Sequence, residues 1–366
     1  LLLLLVLTLS FTTAFAADES TIIIKTSKPV GTTVSLDAYT ASKDEAFTVD
    51  WGDGVEKTYN VDPNGWGYSR RIKTEIKGGT ITIKGKLVNF DLTEAGITSV
   101  DLHGQTALEE IKLEKNEIAT FKQDGRMQAL TKLNLKGNKL TTFLGSGMTS
   151  LKILNLQGNQ LDSHEFDIAD ASATLTELNV SNNGKNFINL NLMSFTALEN
   201  FYCDDNPEFT TAVFADDNEN IKKISMNNCH VMHFYSRSFP NLTSLNLSNN
   251  ALNELEEGNY PKLGTLSIDH NNLTTLDVTR FPKLYNLSCG NNNITLLNVG
   301  SNPELNSLNC DSLNITKLDL SNNKDLAYLS VNGTKLTQLD IRGKKSITKL
   351  NISNTAIRYI DLKDQY

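Results

Sequence analysis

One apolar phrase, repeated thirteen times, constrains this chain more than any other feature. From Leu284 it reads L-x-x-L-x-C-x-x-N-x-I-x-x-L-x-V, with the apolar marks at Leu287, Cys289, Ile294, Leu297 and Val299. The first strand position of each copy falls at Phe90, Ile111, Leu133, Leu154, Leu178, Phe201, Ile224, Leu245, Leu266, Leu287, Leu308, Leu329 and Leu350. Successive gaps are 21, 22, 21, 24, 23 and 23 residues, then 21 throughout. A unit this short cannot bury its own apolar face. It must stack on its neighbours as one coil of a solenoid.

A second apolar column lies about ten residues beyond the first: Val100, Phe121, Phe143, then Leu255, Leu276, Leu297, Leu318, Leu339 and Ile360. Each coil thus carries two such phrases. Residues at i and i+2 of a strand point the same way, so stacking buries them as continuous rows. Asn116, Asn138, Asn159, Asn250, Asn271 and Asn292 stand where the chain leaves the first strand. An amide there can satisfy backbone groups inside the bend that burial would otherwise orphan. A 21-residue coil leaves too little chain for a long helix on its far side. The expected class is mainly β: a solenoid of about thirteen 21–24-residue coils, roughly 60 Å long at about 4.8 Å per rung.

The phrase L-x-x-L-x-L-x-x-N-x-L resembles the leucine-rich repeat. The alternation of 10- and 11-residue units is similar to the short nested-period type of exported proteins of Gram-negative gut bacteria. Internalins, with 22-residue repeats, are more distant. The resemblance covers residues 87–366 and implies a binding scaffold rather than an enzyme.

Residues 17–86 lack the repeat. Short alternating runs, Thr21–Lys25, Thr33–Leu36 and Thr80–Lys84, predict a small β-sandwich-like domain that caps the solenoid. Asp50-Trp51-Gly52-Asp53-Gly54 sits between two strand-like runs and predicts a hairpin. This stretch resembles bacterial PKD-like domains, with their W-G-D-G turn. Ahead of it, the apolar run Leu1–Leu9 and the small-x-small triplet Ala14-Phe15-Ala16 read as a signal peptide cleaved after Ala16. The expected location is therefore outside the cytoplasm: periplasmic, cell-surface or secreted. No later segment is apolar enough to span a membrane.

The four cysteines do not read as a disulfide framework. Cys203, Cys289 and Cys310 replace apolar repeat residues, and Cys229 replaces the repeat Asn. Cys289 and Cys310, one repeat apart, form the one plausible bridge. The net charge of −8, with no basic cluster, argues against nucleic acid.

No nucleophilic triad, P-loop, HExxH or paired CxxC is present, so the expectation is a protein without enzymatic activity or cofactor. Cys229-His230-x-x-His233 has metal-like spacing, but its position in the repeat sends the two histidines outward. Asp277, Asn298, Asp319, Asp340 and Asp361 form a strict column that must face water, bond to backbone amides or share cations. The first-strand outward column, Asn134, Asn155, Asn179, Tyr202, Ser225, Asn246, Ser267, Ser288, Asn309, Ser330 and Asn351, is small and polar except at Tyr202.

The candidate ligand-binding residues are Tyr202, Asp204, Asp205, Phe209, Asp216 and Asp217 in the irregular coils, with Trp66 in the first domain. Inserted residues are free to project, whereas strict coils are held by stacking. Calcium at the six carboxylates from Asp204 to Glu219 is the weaker alternative there. The expected partner is a protein ligand on the repeat face. A glycan, or a purely structural spacer, is the rival. Leu350, Ile352, Ile357, Ile360 and Leu362 in the thirteenth coil expose an apolar end, for which the alternatives are an end-to-end homodimer or an edge blunted by Lys363 and Asp364.

Overall fold

The computed structural model describes residues 20–62, 68–235 and 238–361. Six strands precede the repeats: β1 (Thr21–Thr26), β2 (Thr33–Tyr39), β3 (Ala46–Asp50), β4 (Glu56–Asn60), β5 (Ser69–Glu75) and β6 (Thr80–Lys84). Their alternating patterns bury one face each. Ile22 and Ile24 of β1, Leu36 and Ala38 of β2, and Ile81 and Ile83 of β6 are fully enclosed. β3 and β4 form the expected hairpin, from Ala46↔Asn60 to Asp50↔Glu56. Its turn is fixed by Asp50 Oδ1, which accepts the amide hydrogens of Gly52 (2.8 Å) and Gly54 (3.1 Å). Both glycines take positive φ, which a β-carbon would resist. Trp51 is buried, and its Nε1 donates to the Tyr59 hydroxyl at 3.1 Å.

The first coil contributes β7 (Asn89–Asp91) and β8 (Ile97–Asp101), and the second β9 (Glu110–Lys112) and β10 (Thr120–Lys122). β2 pairs antiparallel with β7, and β1 antiparallel with β8. β9 and β10 then continue the two sheets in parallel. Both sheets therefore run without a break from the opening strands into the repeats. The boundary expected near residue 86 is one of sequence pattern, and hydrogen bonding crosses it twice. β2 and β1 thus pair along the outer edges of the first coil's two strands.

The long sheet has fifteen strands: β5, β2, then thirteen parallel three-residue strands ending at Lys349–Asn351. Partners match column for column, as in Leu133↔Leu154 and Leu308↔Leu329. In the coil that opens at Leu130, the residues Leu130, Leu133, Leu135 and Leu140 are all buried. Each buried leucine contributes about 1.5–3 kcal/mol relative to exposure. The described chain forms one contiguous core from Ile22 to Ile341.

The asparagines do what their placement predicted. Asn138 Nδ2 donates to the carbonyls of Leu135 (2.8 Å) and Leu113 (2.9 Å), while its Oδ1 accepts from Ile118 N (3.0 Å). Asn271 repeats the pattern with Leu247, Ile268 and Leu252. One amide thus ties its own bend to the coil before it. The residue before each such position takes positive φ, from Lys115 and Asn182 through Asn354, with Gly137 and Gly158 in the same column. That left-handed step turns the chain inward and presents the amide to the bend.

The second face is extended or turn-like, as the short coil requires. Strands occur there only at Phe143–Leu144, Phe166–Asp167, Asn189–Leu192 and Thr211–Phe214 after β10, among the described residues. A series of rings runs beneath: Phe121, Phe143, Phe166, Phe187 and Phe209, with successive centroids 5.6–6.2 Å apart.

Candidate functional site

Each three-residue strand of the long sheet up to Tyr328–Ser330 buries its middle residue and sets the two flanking it toward the open face. The residue just before the strand adds a third column. From Asp91 to Lys223 these columns carry many charges: Glu109, Glu110, Lys112, Lys132, Lys152, Glu177, Glu199, Lys222 and Lys223. From Thr243 to Ser330 the same three columns hold no charge. They hold Ser, Thr, Asn, Gly and Ala, with Tyr285 and Tyr328.

Tyr202 sits on the strand Asn200–Tyr202, beside Asn179 and Ser225 on the adjoining rungs. It is half-buried. Burial raises its hydroxyl pKa, and the nearby charges of Glu177 and Asp204 raise it further. At neutral pH it is a neutral donor and acceptor.

The acidic residues named from sequence do not act as one group. Asp204 Oδ1 accepts from Ser225 Oγ (2.6 Å) and from Asn227 N (2.7 Å), tying one rung to the next. Asp269 does the same for Ser288 and Gly290, and Asp311 for Ser330 and Asn332. Where the outward column holds Asn, the side chain makes the equivalent bond itself, as Asn134 does to Lys136 N and Asn246 to Ser248 N. Asp204 is therefore a lattice member of the sheet. Asp205 occupies the regular left-handed position, with φ of 58°, and accepts from Asn228 Nδ2 at 2.9 Å. Asp216 and Asp217 are exposed in a turn, Asp217 with φ of 56°.

Phe209 requires correction. It is fully buried and stacks on Phe187 at 5.8 Å, so no ligand reaches it. Phe214 is likewise enclosed, edge-on to Phe201 and Phe239. Sequence proximity to carboxylates did not mean shared exposure. Trp66, the leader at residues 1–16 and Leu362 lie outside the described residues.

No group of three or more His, Cys, Asp or Glu side chains among the described residues is placed to hold a metal ion. Cys229 takes the ladder asparagine's role: its thiol donates to the Cys203 carbonyl at 3.1 Å. His230 is exposed, and His233 stacks on Tyr235 with centroids 5.3 Å apart. All four cysteines are free thiols, Cys289 and Cys310 included. Burial pushes the thiols of Cys203, Cys289 and Cys310 up.

Sequence reasoning missed two exposed tyrosines on the open face of the later coils. Tyr285 is 51% exposed and Tyr328 36%. Both lie in columns before the buried strand leucine, whereas the reading had followed only the column after it. Lining up those earlier columns would have found them.

No protein-family model matches this chain, and no curated protein matches it in sequence. Solved structures do resemble it. A leucine-rich repeat protein of Leptospira interrogans superposes with a TM-score of 0.57 at 23% identity, over 70% of this chain and 69% of that one. The functional domain of InlJ from Listeria monocytogenes, which includes a cysteine ladder, gives 0.49 at 23% identity over 75% and 69%. An internalin of the same species gives 0.49 at 17% identity over 73% and 87%. No helix among the described residues is long and apolar enough to cross a membrane. With its parallel three-residue strands, buried leucine columns and asparagine ladder, the chain has the leucine-rich repeat fold.

Proposed function

We propose that this protein is an exported, non-enzymatic binding protein that takes a protein ligand on the open face of its long sheet, centred on Tyr202. The observation that carries this reading is the charged half of the face. Glu199 shares the rung of Tyr202, Glu177, Lys222 and Lys223 lie on the adjoining rungs, and Lys152 lies two rungs away. Mixed charges around a half-buried tyrosine suit a protein partner: the aromatic anchors, and the charges set orientation and encounter rate. The short strands fix these side chains on a rigid lattice, so little order is lost on binding.

Of the residues named from sequence, Tyr202 stays central to the reading. Asp216 and Asp217 are exposed in the turn that follows Thr211–Phe214, and Asp204 and Asp205 support the sheet. The export assignment rests on the leader-like sequence at residues 1–16, and the PKD-like identity of residues 17–86 on the Asp50–Gly54 turn.

The test is affinity capture from host and bacterial surface extracts, with the captured protein then titrated by calorimetry. Tyr202→Ala should weaken binding at least tenfold, and Lys222→Glu with Lys223→Glu should slow association with a reduced salt dependence. A captured ligand that binds both variants as tightly as the parent overturns this placement.

A further inference from the structure

The uncharged half of the open face carries a second inference, which goes beyond the protein-binding reading and uses different residues. We propose that coils ten to twelve form a binding surface for a neutral, extended β-linked polysaccharide, with Tyr285 and Tyr328 as its stacking platforms.

Tyr285 is a platform by construction. A β-carbon at Gly264 would lie 2.5 Å from its ring atom Cε1, 2.9 Å from Cδ1 and 3.6 Å from Cζ, so the Cδ1–Cε1 edge of the ring abuts the glycine of the preceding rung. Its hydroxyl accepts from Thr265 Oγ1 or donates to it, at 3.2 Å. The Cδ1–Cε1 edge is held against the sheet, and half of the residue's surface still meets solvent. Glycine at 264 is what admits this pose, because any larger residue collides with the ring.

Tyr328 stands in the strand Tyr328–Ser330, two rungs beyond Tyr285. Two rungs span about 10 Å. Between them the intermediate rung presents Asn306 and Ser307, both uncharged. The order along the axis is therefore aromatic, polar, aromatic.

That order fits a β-linked chain of pyranoses running along the solenoid. Such a chain is extended, offers a flat C–H face on alternate sugars toward one side, and advances about one rung per sugar. Alternate sugars then meet the two rings, and the intervening sugar meets amide and hydroxyl groups. An extended peptide fits less well. Its side chains return to the same face every ~6.7 Å, out of step with a two-rung spacing. Five coils without a charge in three columns leave a peptide's ionic groups only the bordering carboxylates of Asp269 and Asp311, already taken up by Ser288, Gly290, Ser330 and Asn332, whereas a neutral polymer needs no charged partner. The rigid lattice holds both platforms before binding, which lowers the ordering cost.

The experiment is calorimetric titration of the full chain with hexasaccharides of β-1,4-linked glucose, β-1,4-linked xylose and, as the coiled control, α-1,4-linked glucose. The expected result is binding of a β-linked hexamer and none of the α-linked one. Tyr285→Ala and Tyr328→Ala should each lower affinity at least tenfold. Gly264→Ala, which displaces the ring without removing it, should weaken binding by a similar factor. Tyr285→Phe keeps the ring and should stay within threefold of the parent, which separates a platform role from a folding defect. Tyr202→Ala should leave glycan binding unchanged, so this surface and the protein-binding one fail independently. Absence of binding to both β-linked hexamers overturns the proposal. So does equal binding by the parent, Tyr285→Ala and Tyr328→Ala proteins, or loss of a captured protein ligand in the tyrosine variants with no glycan bound.

Discussion

The first seven coils and the last six share one core but solve the same packing problem differently. The later coils keep a strict 21-residue length, show uncharged columns on the open face from Thr243 to Ser330, and have no named strand on the second face among the described residues. The coils from Leu154 to Ile224 run to 23 or 24 residues. Two of them use the extra length for four-residue strands, Asn189–Leu192 and Thr211–Phe214, which pair in parallel. A longer circuit encloses more volume, and native density must still be reached. The rings of Phe166, Phe187 and Phe209 fill it where the later coils at Ile294 and Ile315 need only aliphatic side chains. Insertion in a stacked coil therefore went inward as much as outward.

The sharpest way to break this comparison is to empty the wide section. Phe209→Ala should destabilise the protein by about 3–5 kcal/mol, the usual range for a buried phenylalanine. Ile315→Val, in the narrow section, should cost only about 0.5–1.5 kcal/mol. Denaturant unfolding followed by circular dichroism reads both. A loss below about 1 kcal/mol at Phe209 would mean that the wide coils are loosely filled, and would return that residue to the list of ligand contacts.

Next in size is the ladder. Asn271→Ala strips partners from the Leu247 and Ile268 carbonyls and from the Leu252 amide. Orphaned buried groups cost about 1–3 kcal/mol each, so a loss of about 2–4 kcal/mol is expected after partial relaxation. Cys229→Ala, at the equivalent position in the irregular half, removes weak thiol donors only. It should cost about 1 kcal/mol or less. Equal losses at both sites would show that the thiol is a full substitute for the amide.

The core columns and the ladder were legible because stacking imposes them at fixed spacing. Three things were not. The pairing of β1 with β8 and of β2 with β7 joins segments far apart in sequence, and no local motif marks it. The second-face register between Phe143 and Leu255 is lost wherever extra residues enter, so Phe166 and Phe187 went unread as core. The role of Asp204 depends on the rung that follows, where serine replaces asparagine and needs a partner. A charge count in one coil cannot see that. Asp204→Ala should therefore cost about 1–2 kcal/mol through the lost ties to Ser225 and Asn227. Asp217→Asn, which removes the charge but keeps a side chain that tolerates the left-handed φ of 56°, should change stability by less than about 0.5 kcal/mol, as a surface substitution does. Thermal unfolding of the two variants decides it, and a larger loss at Asp217 would reverse their assigned roles.

The smallest expected effect concerns the aspartate column of the strict half. Asp277, Asp319 and Asp340 stand one above another on exposed positions. Stacked carboxylates should repel, which would raise their pKa values. Yet all three are held below the ordinary 3.8. At Asp277 the Thr279 hydroxyl is the first cause, with the Thr279 amide second. At Asp319 it is the Ser321 amide, and at Asp340 the Arg342 guanidinium. Each carboxylate also accepts the amide two residues on, at 2.9–3.0 Å, as Asn298 does from Gly300. Asn298 shows that the column's role survives without charge: the acceptor matters, and a shared cation is not required. Because the folded values are depressed, this support is present above the unfolded pKa near 3.8 and is lost as pH falls through the folded values. Replacing Asp277 and Asp319 together by Asn keeps the acceptor and removes the titration. The variant should match the parent at pH 7 and lose less stability between pH 4 and pH 2. Calcium should leave the melting temperature of both proteins unchanged at neutral pH. A calcium-dependent rise in the parent that the double variant lacks would show that the column shares cations after all.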